Sequence, residues 1–511
     1  MSDVPISPDT PARDAAELSG VPAVTGGPFG IKGLAWAVFE GARNPYYNMI
    51  VIYIFAPYYA DVIIGGGSMG LTLSGLTITI AGIFTALTAP FLGVIADKAG
   101  LRKPPIALFI ALLCICSAAL WWTTPNGPFK VWSTMAILAF AYCCYGYSEV
   151  LHNAMLPQAG DAKALPYISG LGLAMGNLLS VGIIIFFLVA LLLPATQFAG
   201  LGPIPQAPMF GINPETHDAQ RLSGPFVAMW MTLLMVPFFL FMPDNKATGM
   251  SWKDATANLF YGERNAAGVR SEAAGERLAK FGAYLAELFR TQPTVMRFLI
   301  ARTIYADAMA ALLTLGSVFA TTFFGWNPIE ILIFGLAGLI FGAIGGFVGG
   351  ALDRWLGPKL ALIVELTCLT TILFIQLSIT PETLFFGMMD GSQPVWDSPF
   401  FTTLSDVVYA AFIVPVAISV VACISSSRYM LVHIAPPARI GEFFGLYAIA
   451  GTVTVWMGPG VVSLLTWLTG NQRIGMAGIG VMFLIGLLVL WNIKADKIPE
   501  HMKTHKGEVA S

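Results

Sequence analysis

Long apolar runs separated by short polar turns make up most of this chain. About 20 consecutive apolar residues let an α-helix cross a hydrocarbon core. Runs of that kind stand near 34–61, 76–96, 105–122, 131–151, 169–194 and 225–242, then near 294–322, 330–352, 360–378, 405–427, 442–467 and 475–493. The pattern predicts an all-α integral membrane protein with twelve transmembrane helices in two six-helix halves. Its expected units are a disordered tail (1–30), a first half (31–242), a linker (243–293), a second half (294–494) and a second tail (495–511). The opening "MSDVPISPDTPARDAAELSG" is polar, without the basic start and short apolar core of a signal peptide. Within the linker, Leu278, Phe281, Leu285 and Leu288 recur at helical spacing among charges. They predict an amphipathic helix lying on the membrane surface and tethering the halves.

Composition agrees with the pattern. Of 511 residues, 56 % are hydrophobic and 11 % charged, against about 25 % charged in soluble proteins. A net charge of −2 gives no reason to expect nucleic acid. The connections after spans 2, 4, 6, 8 and 10, with both tails and their flanking turns, hold 21 of the 27 basic residues. The other connections hold Lys130, Arg221 and Arg473, and Arg43, Arg302 and Arg428 fall within or at the ends of spans. By the positive-inside rule both termini and the linker face the cytoplasm. The six cysteines all lie inside apolar runs and read as packing residues. Neither a metal-ligand spacing nor a phosphate-binding G-x-x-x-x-G-K-[ST] nor a catalytic constellation occurs, so neither enzyme activity nor a cofactor is expected. The absence of an N-x-[ST] sequon fits a bacterial inner membrane. The expected partners are a small-molecule solute, the lipid bilayer and protons, acting on a monomer.

The halves carry an internal repeat. "GVIADKAGLRK" (93–103) follows span 2 and "GGALDRWLGPK" (349–359) follows span 8. Aligned, Gly93 meets Gly349, Asp97 meets Asp353, Lys98 meets Arg354 and Lys103 meets Lys359. Both loops resemble the G-x-x-x-D-[RK]-x-G-x-[RK]-[RK] loop of the major facilitator superfamily. "SSRYMLVHIAPPARIGEFFGLYAIAGTVTVWMGP" (426–459), "NAMLPQAG…ISGLGLAMGN" (153–177) and "ARTIYADAMAAL" (301–312) look like the vacuole-effluxer-like family, the autophagy-related amino-acid effluxers and their bacterial relatives. That resemblance implies alternating access and a gate at the cytoplasmic side, made by Gly93, Asp97, Lys98, Arg102, Lys103, Gly349, Asp353, Arg354, Lys359 and Glu442. It puts Asp97 near the start of span 11 and Asp353 near the start of span 5, and it makes spans 1, 4, 7 and 10 the walls of the central cavity.

Charges inside spans are costly and mark function. Glu40, Arg43, Asn44 and Tyr47 fall at i, i+3, i+4 and i+7, on one helix face. Glu149, His152 and Asn153 repeat that spacing in span 4; Arg302 and Tyr305 are three apart in span 7, with Asp307 on another face, and span 10 ends in Arg428. Three readings of Glu40 and Arg43 stand side by side: contact with solute or proton, pairing at the inner gate, and a passive pair along one helix. Pro45, Pro57, Pro237 and Pro415 are expected to bend their spans. "GLGLAMG" (170–176) and "FGAIGGFVGG" (341–350) are expected to let the halves slide. The chain therefore reads as a secondary transporter of a small organic solute, first an amino acid or similar zwitterion. A cation-coupled sugar permease or drug exporter of the same fold is the alternative, and a transporter-like receptor or lipid scramblase is the alternative outside transport.

Overall fold

A computed structural model describes residues 30–160, 165–196, 198–200, 202–244, 250, 254, 256, 274–436, 443, 446–447, 451 and 454–493. Both expected tails, most of the linker and Glu442 lie outside the described residues, as do the side chains of Asp97 and Lys98.

A bilayer offers no water to backbone N–H and C=O groups, so each crossing must satisfy its own backbone, as helices do. Ten helices among the described residues are long and apolar enough to cross, from Gly67–Ala89 in span 2 to Gln472–Trp491 in span 12. Span 1 is a rod broken into Ile31–Pro45, Tyr46–Tyr53, Phe55–Tyr58 and Tyr59–Ile63. Span 11 is described as a shorter helix, Met457–Thr469. The prolines mark the breaks: the first α-helix of span 1 ends on Pro45, Pro57 lies in the short Phe55–Tyr58 turn, and spans 6 and 10 restart just before Pro237 and Pro415. Span 2 begins at Gly67 rather than near 76. Its extra turns carry Thr72 and Ser74, which are buried against protein and so need no apolar character. The linker contains the expected helix, Ala274–Thr291, with Leu288 buried. A two-strand ribbon, Thr383–Leu384 with Met389–Asp390, sits in the connection after span 9.

Packing repeats as the loop sequences do. Spans 2 and 4, 3 and 4, 3 and 6, and 1 and 6 pack together, as do 8 and 10, 9 and 10, 9 and 12, and 7 and 12. Between the halves, span 2 meets span 11 and span 7, and span 5 meets span 8. These meetings crowd toward the end of the bundle away from the linker, called here the far end. There the Ser463 hydroxyl donates to the Thr72 carbonyl at 2.9 Å, Ser317 donates to the Ile52 carbonyl, and Phe198 stacks on Phe400 at 5.6 Å.

The glycine-rich stretches allow the close packing expected of them. A Cβ on Gly172 would strike the Trp36 ring at 2.8 Å, and one on Gly176 would meet Asn44 at 3.0 Å. In span 8, a Cβ on Gly349 would lie 2.9 Å from the Ala422 backbone. Both stretches therefore bring helices of the same half into close contact, span 5 on span 1 and span 8 on span 10, where small residues let backbones approach.

Candidate functional site

Span 1 presents its charged face to span 4. Arg43 is 2 % exposed, and its Nη2 donates to both Glu40 oxygens at 2.9 and 2.7 Å. Its Nη1 lies 3.3 Å from Glu149, which is 46 % exposed. The guanidinium also sits 4.5 Å over the Tyr145 ring. Neither Nη1 nor Nε makes a hydrogen bond, so a buried five-donor fork keeps donors to spare. Tyr47 stacks on Tyr145 at 5.9 Å, and Asn44 faces span 5 at Gly176.

His152 closes the cluster. It is fully buried, with its Nδ1 3.2 Å from Glu40 Oε1 and its Nε2 3.2 Å from the Trp36 carbonyl. Both partners are acceptors, and only a ring carrying two N–H groups satisfies both. Trp36 and Phe39 stack on the ring at 4.4 and 4.2 Å, and the Trp36 indole donates to the His152 carbonyl at 3.2 Å. Asn153, expected on the same face, is exposed.

The polar groups of span 7 do not join this cluster. Arg302 Nη1 donates to the Tyr447 carbonyl at 2.6 Å, and its guanidinium lies 3.5 Å over that residue's ring. Tyr305 shares a 2.7 Å hydrogen bond with Ser427 of span 10. Asp307, 4 % exposed, accepts from Gly458 N–H at 2.7 Å, and its Oδ1 has no partner. Gly458 opens the helix Met457–Thr469, where backbone N–H groups are unspent and the dipole favours an anion. Arg302 and Asp307 thus reach the same span, whereas Tyr305, expected beside Arg302, turns to another. Arg428 is exposed.

Among the gate residues, Arg102, Lys103, Asp353 and Arg354 make contacts within their own halves. Asp244, just past span 6, accepts from Arg102 N–H at 2.9 Å and Lys103 N–H at 3.2 Å, capping span 3. Lys103 Nζ donates to the Phe239 carbonyl at 3.0 Å, and Arg102 donates to the Ala154 carbonyl. Asp353 lies within reach of Ser426 and Glu365, on spans 10 and 9. Ser426 donates to Glu365 at 2.9 Å. Arg354 is exposed and returns to the Gly350 carbonyl of its own helix at 3.3 Å. Lys359 lies half-buried in the first turn of span 9, and Gly93 lies in the last turns of span 2.

Trp36 and Tyr145 were missed in the sequence although each stands one helical turn before a charged residue, at 40 and 149. Asp244 had a readable signal, an acid directly after a span. Nothing local marks Gly458, Tyr447, Ser426 or Ser427, which contribute through the fold. Among the described residues no cluster of His, Cys, Asp and Glu is arranged to hold a metal. A cavity of about 410 Å³ lies at the far end, and another of about 30 Å³ lies between spans 1, 2, 4 and 7. Neither of these two is lined by the Arg43 cluster.

The family described as "Vacuole effluxer Atg22 like" matches residues 64–502. The chain belongs to that family. A Bacillus subtilis protein described as an uncharacterized MFS-type transporter, YxiO, is 20 % identical over 89 % of this chain and 93 % of its own length. Autophagy-related protein 22-2 of Aspergillus niger is 25 % identical over 40 % of this chain, which spans only 32 % of that relative. Among solved structures, the inward-open xylose transporter XylE of E. coli superposes with a TM-score of 0.58 at 11 % identity, over 93 % of this chain and 100 % of that one. A POT family transporter in complex with 5-aminolevulinic acid gives 0.58 at 12 % identity, over 94 % of this chain and 96 % of that one. The fold is that of the major facilitator superfamily. This Atg22-like protein is a multi-pass membrane transporter of a small-molecule solute and not an enzyme.

Proposed function

We propose that the protein is a secondary active transporter of an amino acid or similar zwitterion, working by alternating access. The observation that supports this most is Arg43, buried between Glu40 and Glu149 with donors to spare. A solute carboxylate takes the free edge of the fork, where bidentate geometry is strongest. Its amine is met by Glu149, which is half open to the surroundings. His152 supplies the proton: its doubly donating form ties Glu40 to Trp36, and loss of one proton breaks one of those two bonds.

Asp307 is the latch. It holds the start of the half-helix whose Ser463 closes against span 2 at the far end, so neutralising it loosens that closure. Discontinuous helices form the substrate and ion sites of many transporters. With the linker end cytoplasmic, as the basic residues favour, the meeting of the halves at the far end makes this the inward-facing form. The two six-helix units are 31–242 and 294–494, joined by 243–293, with Asp97, Lys98, Lys359 and Glu442 as gate residues between them. A bacterial inner membrane and a monomer complete the reading.

Uptake of labelled amino acids into proteoliposomes, with and without an inward proton gradient, tests it. Gradient-stimulated flux of an amino acid supports the proposal. Sugar flux without amino-acid flux overturns the substrate, and gradient-independent flux overturns the coupling.

A further inference from the structure

The π-helical segments among the described residues are gathered in one place. Tyr46–Tyr53 and Tyr59–Ile63 in span 1, Leu188–Leu192 in span 5 and Ala320–Phe324 in span 7 each contribute to the wall of the far-end cavity. A π turn has poorer backbone geometry than an α turn and persists mostly where it serves a site. Four of them around one hollow of about 410 Å³ mark a built site, and the volume falls among those of small-molecule pockets, roughly 300–1,000 Å³. Asp61 stands 18 residues beyond Arg43 on the same span, about 27 Å along a continuous helix. The hollow is therefore remote from the ion cluster.

Its lining states a chemistry. Tyr53, Tyr58 and Trp326 supply rings, and Asp61 is the one carboxylate, with no Lys or Arg beside it. Arg221 of the same end is spent elsewhere, donating to Asp218 at 2.9 Å and to the Trp121 carbonyl at 2.8 Å. His217, whose ring lies 5.5 Å from that of Tyr58, is held by burial below its ordinary value and adds no charge at pH 7. One polar side chain of the wall is more than nine-tenths buried and unpartnered: Thr321, whose hydroxyl makes no hydrogen bond.

We propose that this cavity binds an organic ammonium ion with an apolar body, its nitrogen paired with Asp61 and its body against Tyr53, Tyr58 and Trp326. A cation over aromatic faces gains beyond its ion pair when water is excluded, and the lone carboxylate rejects anions of the same shape. The site is separate from the one proposed for the zwitterion and does not depend on it.

Calorimetric titration of the purified full chain in lipid nanodiscs with 4-phenylbutylamine, and in parallel with 4-phenylbutyrate, tests the assignment. Saturable one-to-one binding of the amine is expected, with the acid at least about tenfold weaker and Asp61→Asn weakening the amine by about tenfold. Asp61 is exposed at the rim, so this variant folds, which an unchanged unfolding temperature verifies. Equal binding of amine and acid would mean apolar partition only and would overturn the proposal. So would the absence of saturable binding, or an Asp61→Asn variant that binds as well as the original.

Discussion

The two halves repeat the same helical plan but use their buried charges in opposite ways. In the first half Arg43 bonds to a neighbouring side chain and lies close to a second, Glu40 and Glu149, with donors left over. In the second half Arg302 and Asp307 are each tied to the backbone of span 11, at Tyr447 and Gly458. A side-chain partner can swing aside for a solute while the helices stay in place. A backbone partner moves only if its helix moves. The first half is thus suited to recognition and the second to registering where span 11 stands.

The strongest way to break the comparison is Arg43→Ala. It removes the carboxylate-binding fork and leaves Glu40 with His152 alone, so solute uptake should fall by about 100-fold, and stability by about 3 kcal/mol in denaturant titration. Arg43→Lys keeps the charge without the fork and should lose about tenfold in affinity; equal loss in both variants would mean that charge alone matters. Asp307→Asn keeps an acceptor for Gly458 but removes the anion. It should leave solute affinity within about twofold while raising accessibility at the far end, read by labelling of a cysteine placed at Thr72, which is buried where span 2 meets Ser463, because a charge-assisted bond is about twice as strong as a neutral one. His152→Gln offers one donating nitrogen and one accepting oxygen in place of two donating nitrogens and does not titrate, so it should flatten the pH dependence of uptake. At the small end, Arg428→Ala and Asn153→Ala change exposed groups and should alter stability by less than about 0.5 kcal/mol. A large loss of transport in either would return those residues to the site.

The spans, the linker helix and the proline breaks were legible because each leaves a local mark: an apolar run, a helical spacing or a missing N–H. The cluster around Arg43 was half legible. Spacing placed Glu40 with Arg43 and Glu149 with His152, but nothing along the chain says that the two pairs meet, nor that Trp36 and Tyr145 seal them. Span 7 misled for the same reason. Residues 302 and 305 look like one polar face and 307 like another, yet what each touches is set by spans 10 and 11, more than a hundred residues away. Motif position in the loops was read as contact between halves in one of the transporter's states; in the form described, Asp244, Ala154 and Ser426 hold Arg102, Lys103 and Asp353 within their own halves.

The claim that Arg43 receives the solute carboxylate is tested most directly by competition against labelled amino-acid uptake, using the unlabelled amino acid and its decarboxylated amine. The original protein should favour the amino acid by about 100-fold, and Arg43→Ala, in its residual flux, should treat the two alike. Undiminished preference for the amino acid in Arg43→Ala would contradict the account.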